Sequence, residues 1–203
     1  MTQEHAEEEG RRDAERLEAF SDGVMAVIIT IMALSLELPK GSAFKDLGGK
    51  PLSSLLVYVL SFTFVGIYWN NHHHLLRATE RIDGVVMWVN LLLLFWLSLI
   101  PWVTRWVAQD YEKHLPASAY GIVALGAGIS YWVLSRVIIR CNGPDSRVAR
   151  AVGSDAKGVI SVILYLAAIG LAWVSPWLAY GIYVLVAITW FIPDRRLSRR
   201  PEL

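Results

Sequence analysis

At 203 residues the chain could hold one or two soluble domains, but 55% of it is apolar, 18% is charged and nine residues are tryptophan. Apolar runs of about 18 to 24 residues recur, which excludes a soluble globular protein and marks an integral membrane protein. The formal net charge of +1 says little about partners, nothing in the pattern asks for a nucleic acid, and the single Cys141 cannot form an intrachain disulfide.

Residues 1–16 open acidic and polar, with no cleavable signal pattern, and read as a cytosolic tail in which 13–18 already favours helix. A first helix is expected over about 17–38 and ends before Pro39, Gly41 and the glycine-rich loop to Pro51. A second spans about 52–76 and closes on Tyr68-Trp69-Asn70-Asn71-His72-His73-His74. A third covers about 84–107, with Pro101 near its far end. A fourth covers about 117–140, and its Ala119, Gly121, Ala124, Gly126, Ala127 and Gly128 allow close helix contact. After a basic connection to Asp155, helices five (about 157–174) and six (about 177–192) follow across a tight Ser175-Pro176 turn. Residues 194–203 form a basic tail.

The expected fold class is therefore all-α, with six transmembrane helices and the channel domain over 17–193. Six spans put both termini on one side. That side holds 14 of the Lys and Arg residues: Arg11, Arg12, Arg16, Arg77, Arg81, Arg136, Arg140, Arg147, Arg150, Lys157, Arg195, Arg196, Arg199 and Arg200. The other side holds five: Lys40, Lys45, Lys50, Arg105 and Lys113. The termini are thus expected in the cytosol, and the protein in the cell's inner (plasma) membrane.

Helix one carries the informative pattern. At about 100° per residue, Val27, Ile31, Leu34 and Leu38 share a sector of roughly 60°, with Thr30 at its edge. Asp22 lies about 140° away. A carboxylate at membrane depth needs protein partners, and Arg16 and the helix-two histidines are at the right depth. Glu37 follows at the opposite mouth, where a ring of carboxylates would concentrate cations.

The ordered run Arg16-xxx-Phe20-Ser21-Asp22-Gly23, with Ala26, Thr30 and Leu34 after it, resembles the opening of the first helix in the transmembrane protein 175 family. Trp69 and His72 match that family's Trp-xx-His near the end of helix two. The resemblance implies a potassium-selective leak channel without the usual filter loop. It also implies a homotetramer in which four copies of helix one surround the pore. Val27, Ile31 and Leu34 would form its apolar constriction, and Thr30 would contribute selectivity. Val27 is smaller than the isoleucine or leucine often found there, which moves the narrowest point toward Ile31 or Leu34. Arg16, Phe20, Ser21, Asp22, Trp69, His72 and His73 would form a structural and gating network.

Other readings find less support. There is no Thr-Val-Gly-Tyr-Gly-like filter and no helix with Arg at every third position. Three consecutive histidines on a helix point apart, so no metal site is expected. Ser21, Asp22 and His72 name a triad's side chains without a nucleophile elbow, so the chain is not expected to be an enzyme. No cofactor is expected, the potassium ion being cargo; the expected partners are further copies of the chain and the bilayer. The rival reading is a proton channel or proton-coupled transporter using Asp22 and the histidines as relays.

Overall fold

The computed structural model describes residues 3–152 and 156–191. Regular structure among them is helical throughout: α1 (Gln3–Leu34), α2 (Lys50–Arg77), α3 (Gly84–Ser98), α4 (Ile100–Asp110), α5 (His114–Asn142), α6 (Arg147–Val152), α7 (Ala156–Leu171) and α8 (Pro176–Phe191). A short 3-10 turn, Phe44–Leu47, interrupts the loop after α1. Four stretches are apolar and long enough to cross a bilayer: Gly10–Leu34, α2, the α3–α4 pair and α5. α7 and α8 are apolar but shorter. This is a multi-pass, all-helical membrane protein, the form in which each segment satisfies its own backbone away from water.

The helix bounds differ from expectation in instructive ways. Residues 3–16, read as a tail, are helical and continuous with α1. Glu, Ala and Arg are strong helix formers, and the Arg11–Glu15 pair at 3.8 Å adds an i,i+4 contact. At its other end α1 stops at Leu34, not at residue 38. The chain tightens there: Ser35 N donates to Met32 O at 3.1 Å and Leu36 N to Ala33 O at 3.3 Å. Pro39 then bars the residue before it from helical geometry. The expected third helix is two. Pro101 has no N–H to give back to Leu97 O, and the run breaks at Leu99, whose N–H reaches Trp96 O instead. The basic connection contains α6, whose Val148 is fully buried. α7 ends at Leu171 rather than 174, and the basic tail 194–203 lies outside the described residues.

Side-chain ties show which helix ends share a side. At one end Asn142, closing α5, grips the α2–α3 link: its Oδ1 accepts from Glu80 N (3.0 Å) and Arg81 N (2.9 Å), and its Nδ2 donates to Arg81 O (3.0 Å). Gly10 of α1 lies against the same link; a Cβ there would come 2.7 Å from Glu80 O. At the opposite end Glu37 N donates to Ser54 Oγ (3.2 Å), Ser53 Oγ to Ala108 O (3.2 Å), and Tyr180 Oη to Tyr111 O (3.0 Å). Successive long helices therefore run antiparallel.

α5 is the hub, packing against α3, α4, α7 and α8. The small-residue expectation for it holds in detail. Ala124 and Ala127 are fully buried. Gly121 receives the Tyr183 hydroxyl and the Ile169 side chain, and Gly126 receives the face of the Trp96 indole; neither site has room for a methyl group. α1 stands at the rim of this bundle, touching α2, α3 and α4.

Candidate functional site

α1 has two faces with opposite fates. Ala14, Leu17, Ser21, Met25, Ile28 and Met32 recur at three- and four-residue steps and are buried against α2, α3 and α4. Val27 (57% exposed), Ile31 (48%) and Leu34 (82%) lie on the uncovered face. Thr30 is exposed beside them, and its hydroxyl donates to Ala26 O of its own helix at 2.8 Å. That bond uses the hydroxyl hydrogen and leaves the oxygen's lone pairs for anything lying outside the helix. Glu37 falls three residues past the helix end, exposed, in a segment tied to α2 through Ser54. Leu38 is exposed but lies outside the helix, so the continuous stripe ends at Leu34.

The buried face is locked by a polar chain. Ser21 Oγ donates to Leu17 O at 2.8 Å. Having given its hydrogen, Ser21 Oγ accepts from Asn90 Nδ2 at 2.9 Å. Asn90 Oδ1 lies 2.8 Å from His72 Nε2. A carbonyl oxygen only accepts, so the His72 proton sits on Nε2, and Nδ1 of the neutral ring is left as an acceptor. Ser21, Asn90 and His72 are each fully buried, and they join α1, α3 and α2 at one depth. Beside this chain, His73 Nδ1 pairs with Glu18 at 2.5 Å, and the Trp69 ring stacks on His73 with centroids 5.8 Å apart.

The expected network thus assembles in part. Ser21 and His72 come together through Asn90, while Trp69 and His73 join through Glu18. Phe20 and Arg16 point outward from the chain, and Arg16 makes no ion pair among the described residues. Asp22 is not bonded to Arg16: its Oδ1 is buried without a hydrogen-bond partner, as is His72 Nδ1. The three histidines diverge, His72 to Asn90, His73 to Glu18 and His74 outward; no cluster of three metal-ligating side chains occurs among the described residues. Sequence reasoning missed Asn90 and Glu18. Asn90 did carry a signal, as the lone polar residue in the run 85–97, where a polar group demands a partner.

Residues 16–101, which hold both α1 faces and the Ser21–Asn90–His72 chain, match the family model described as the endosomal/lysosomal potassium channel TMEM175. A potassium channel of a Chryseobacterium species is 46% identical over 91% of this chain and 95% of its own length. The chain belongs to the TMEM175 family. A second relative, a potassium channel of Streptomyces collinus, is 32% identical over 85% of this chain and 89% of that one. The crystal structure of a lysosomal potassium-selective TMEM175 homologue from Chamaesiphon minutus superposes with a TM-score of 0.74, at 26% identity, over 92% of this chain and all of the other. A mouse endosomal/lysosomal proton channel TMEM175 is 28% identical over 47% of this chain, which spans only 20% of that protein.

Proposed function

We propose that the protein is a potassium-selective leak channel of the cell's plasma (inner) membrane, working as a homotetramer around four copies of α1. The observation that carries this reading is the division of α1. One face is clamped by its own subunit through Ser21, Met25, Ile28 and Met32, while the opposite face, bearing Val27, Ile31, Leu34 and Thr30, is left largely uncovered by the described residues of its own chain. One helix cannot enclose a conduit, so the pore requires symmetric copies. A ring of branched apolar side chains at Val27, Ile31 and Leu34 gates by excluding water. Outward lone pairs at Thr30 replace part of a potassium ion's hydration shell, and Glu37 draws cations to the mouth. α7 and α8, at 16 residues each, give about 24 Å of helix and cross by local thinning of the bilayer. Six spans, with 14 of the 19 Lys and Arg residues on the side of the termini, place both termini in the cytosol.

A second reading is proton conduction along Asp22 and the α2 histidines. It is favoured by two buried acceptors without partners, Asp22 Oδ1 and His72 Nδ1, and by the proton-channel name of the mouse relative. Purified protein in liposomes separates the two. A potassium pore gives a reversal potential that follows the potassium gradient at fixed pH, and a proton pathway one that follows the pH gradient. Absence of flux in both gradients would overturn the channel reading.

A further inference from the structure

Away from the α1 site, the helices α2, α5, α7 and α8 form a groove that is open on one side. Phe64, Tyr68, Tyr131, Tyr165 and Trp190 supply aromatic rings to its wall. Several of its polar groups are already paired. The Trp190 indole N–H donates to Ser161 Oγ at 2.7 Å, Ser161 Oγ to Lys157 O at 2.8 Å, and Tyr131 Oη to Asn71 O at 3.2 Å. What faces the groove is mostly ring and hydrocarbon, which suits an alkyl chain better than a polar solute. Gly128 keeps it open on α5, where an added Cβ would meet only ordinary contacts, Tyr68 Oη at 3.5 Å and Tyr165 at 3.9 Å.

The groove has a direction. From Gly158 to Tyr165 it follows about 10 Å of α7, inward from the helix ends where cations gather. Lys157 immediately precedes Gly158. Arg136, one turn past the lining Trp132, is exposed and holds its guanidinium 5.7 Å from the Trp132 ring centroid. α6 packs on α2 and α5 at this same end and adds the exposed Arg147 and Arg150. An aromatic slot with cations at one mouth complements a molecule with an alkyl tail and an anionic head.

We propose that this groove is a binding site for an anionic phospholipid, its acyl chain between Tyr68, Tyr131 and Trp190 and its phosphate at Arg136 and Lys157. The site does not depend on which ion the α1 pore passes.

The test is native mass spectrometry of the purified full chain titrated with phosphatidylglycerol or phosphatidylcholine of equal chain length. Wild type binds phosphatidylglycerol more tightly. The double variant Arg136→Gln/Lys157→Gln loses about five-fold in that affinity per cation, about thirty-fold together, and loses much less of its phosphatidylcholine affinity, because the choline cation offsets the phosphate charge. Gly128→Leu, which fills the slot, weakens both lipids, whereas Gly128→Ala keeps both. If Gly128→Leu does not fold, the charge variant alone decides. Equal binding of the two lipids by wild type, or unchanged phosphatidylglycerol binding in the double variant, would overturn the proposal. So would an intersubunit disulfide formed by Trp132→Cys in a Cys141→Ser background, since a second copy of the chain would then occupy the groove.

Discussion

Removing the Asn90 side chain tests whether the buried polar chain sets the position of α1. Asn90 is fully enclosed and makes two bonds, accepting from His72 Nε2–H at 2.8 Å and donating to Ser21 Oγ at 2.9 Å. In Asn90→Ala, Ser21 still donates to Leu17 O, but His72 is left with both ring nitrogens unpartnered, since Nδ1 already has none. A stranded buried donor costs about 1–3 kcal/mol and the small void about 1 kcal/mol more, so Asn90→Ala is expected to lose about 2–4 kcal/mol. The pairwise part is smaller. Hydrogen bonds in membrane proteins couple by about 0.6 to 1.7 kcal/mol, because the unfolded chain also finds partners. A double-mutant cycle of Asn90→Leu with His72→Leu should therefore give about 0.6–1.7 kcal/mol of coupling, with the double variant closer to wild type than the sum of the singles. The assay is reversible unfolding in mixed detergent and SDS micelles, followed by circular dichroism. Additive single losses, with coupling within about 0.3 kcal/mol of zero, would refute the bond as a tie between α2 and α3.

Thr30→Ala should lower potassium-over-sodium discrimination several-fold in bi-ionic potentials, with folding unchanged, because the hydroxyl bonds only to its own helix. Leu34→Ala should raise unitary conductance in planar bilayers by removing the bulkiest exposed side chain at the helix end. Gly126→Ala, whose new methyl would enter the Trp96 indole, should cost about 1–3 kcal/mol in the same unfolding assay, whereas Gly128→Ala should be neutral or gain up to about 1 kcal/mol.

The helical fold was legible because apolar length and the bilayer thickness leave few alternatives. The α1 stripe was legible because period 3.6 is a property of spacing alone. What escaped depended on packing in space. Asn90 and Ser21 are 69 residues apart in the chain, and nothing local says that their side chains meet. Glu18 looked like one acidic residue among many at the N-terminus until α2 placed His73 beside it. The break at Leu99 was signalled by Pro101, but Pro101 sits near enough to the end of the run to pass for a terminator. The pairing of Arg16 with Asp22 failed within the chain for a geometric reason. At about 100° per residue, positions six apart stand about 120° round the helix, so Arg16 turns to the open face and Asp22 to a covered edge.

The division of α1 also separates three readings of its exposed face that composition cannot. Three ties hold the helix without touching that face: Ser21 to Asn90, Met32 Sδ lying 3.9 Å from Thr104 Oγ1, and the segment after α1 held at Ser54. If the face lines a pore, alanine at Val27, Ile31 or Leu34 changes conduction and leaves folding of the subunit intact. If it faces lipid, the same changes alter neither, because hydrocarbon replaces hydrocarbon. If it is a tight interface away from any pore, they weaken the oligomer and leave the conductance of the surviving assemblies unaltered. Measuring unitary conductance and oligomer mass on the same three variants distinguishes these outcomes, and a result of no change in either would remove α1 from the conduction path.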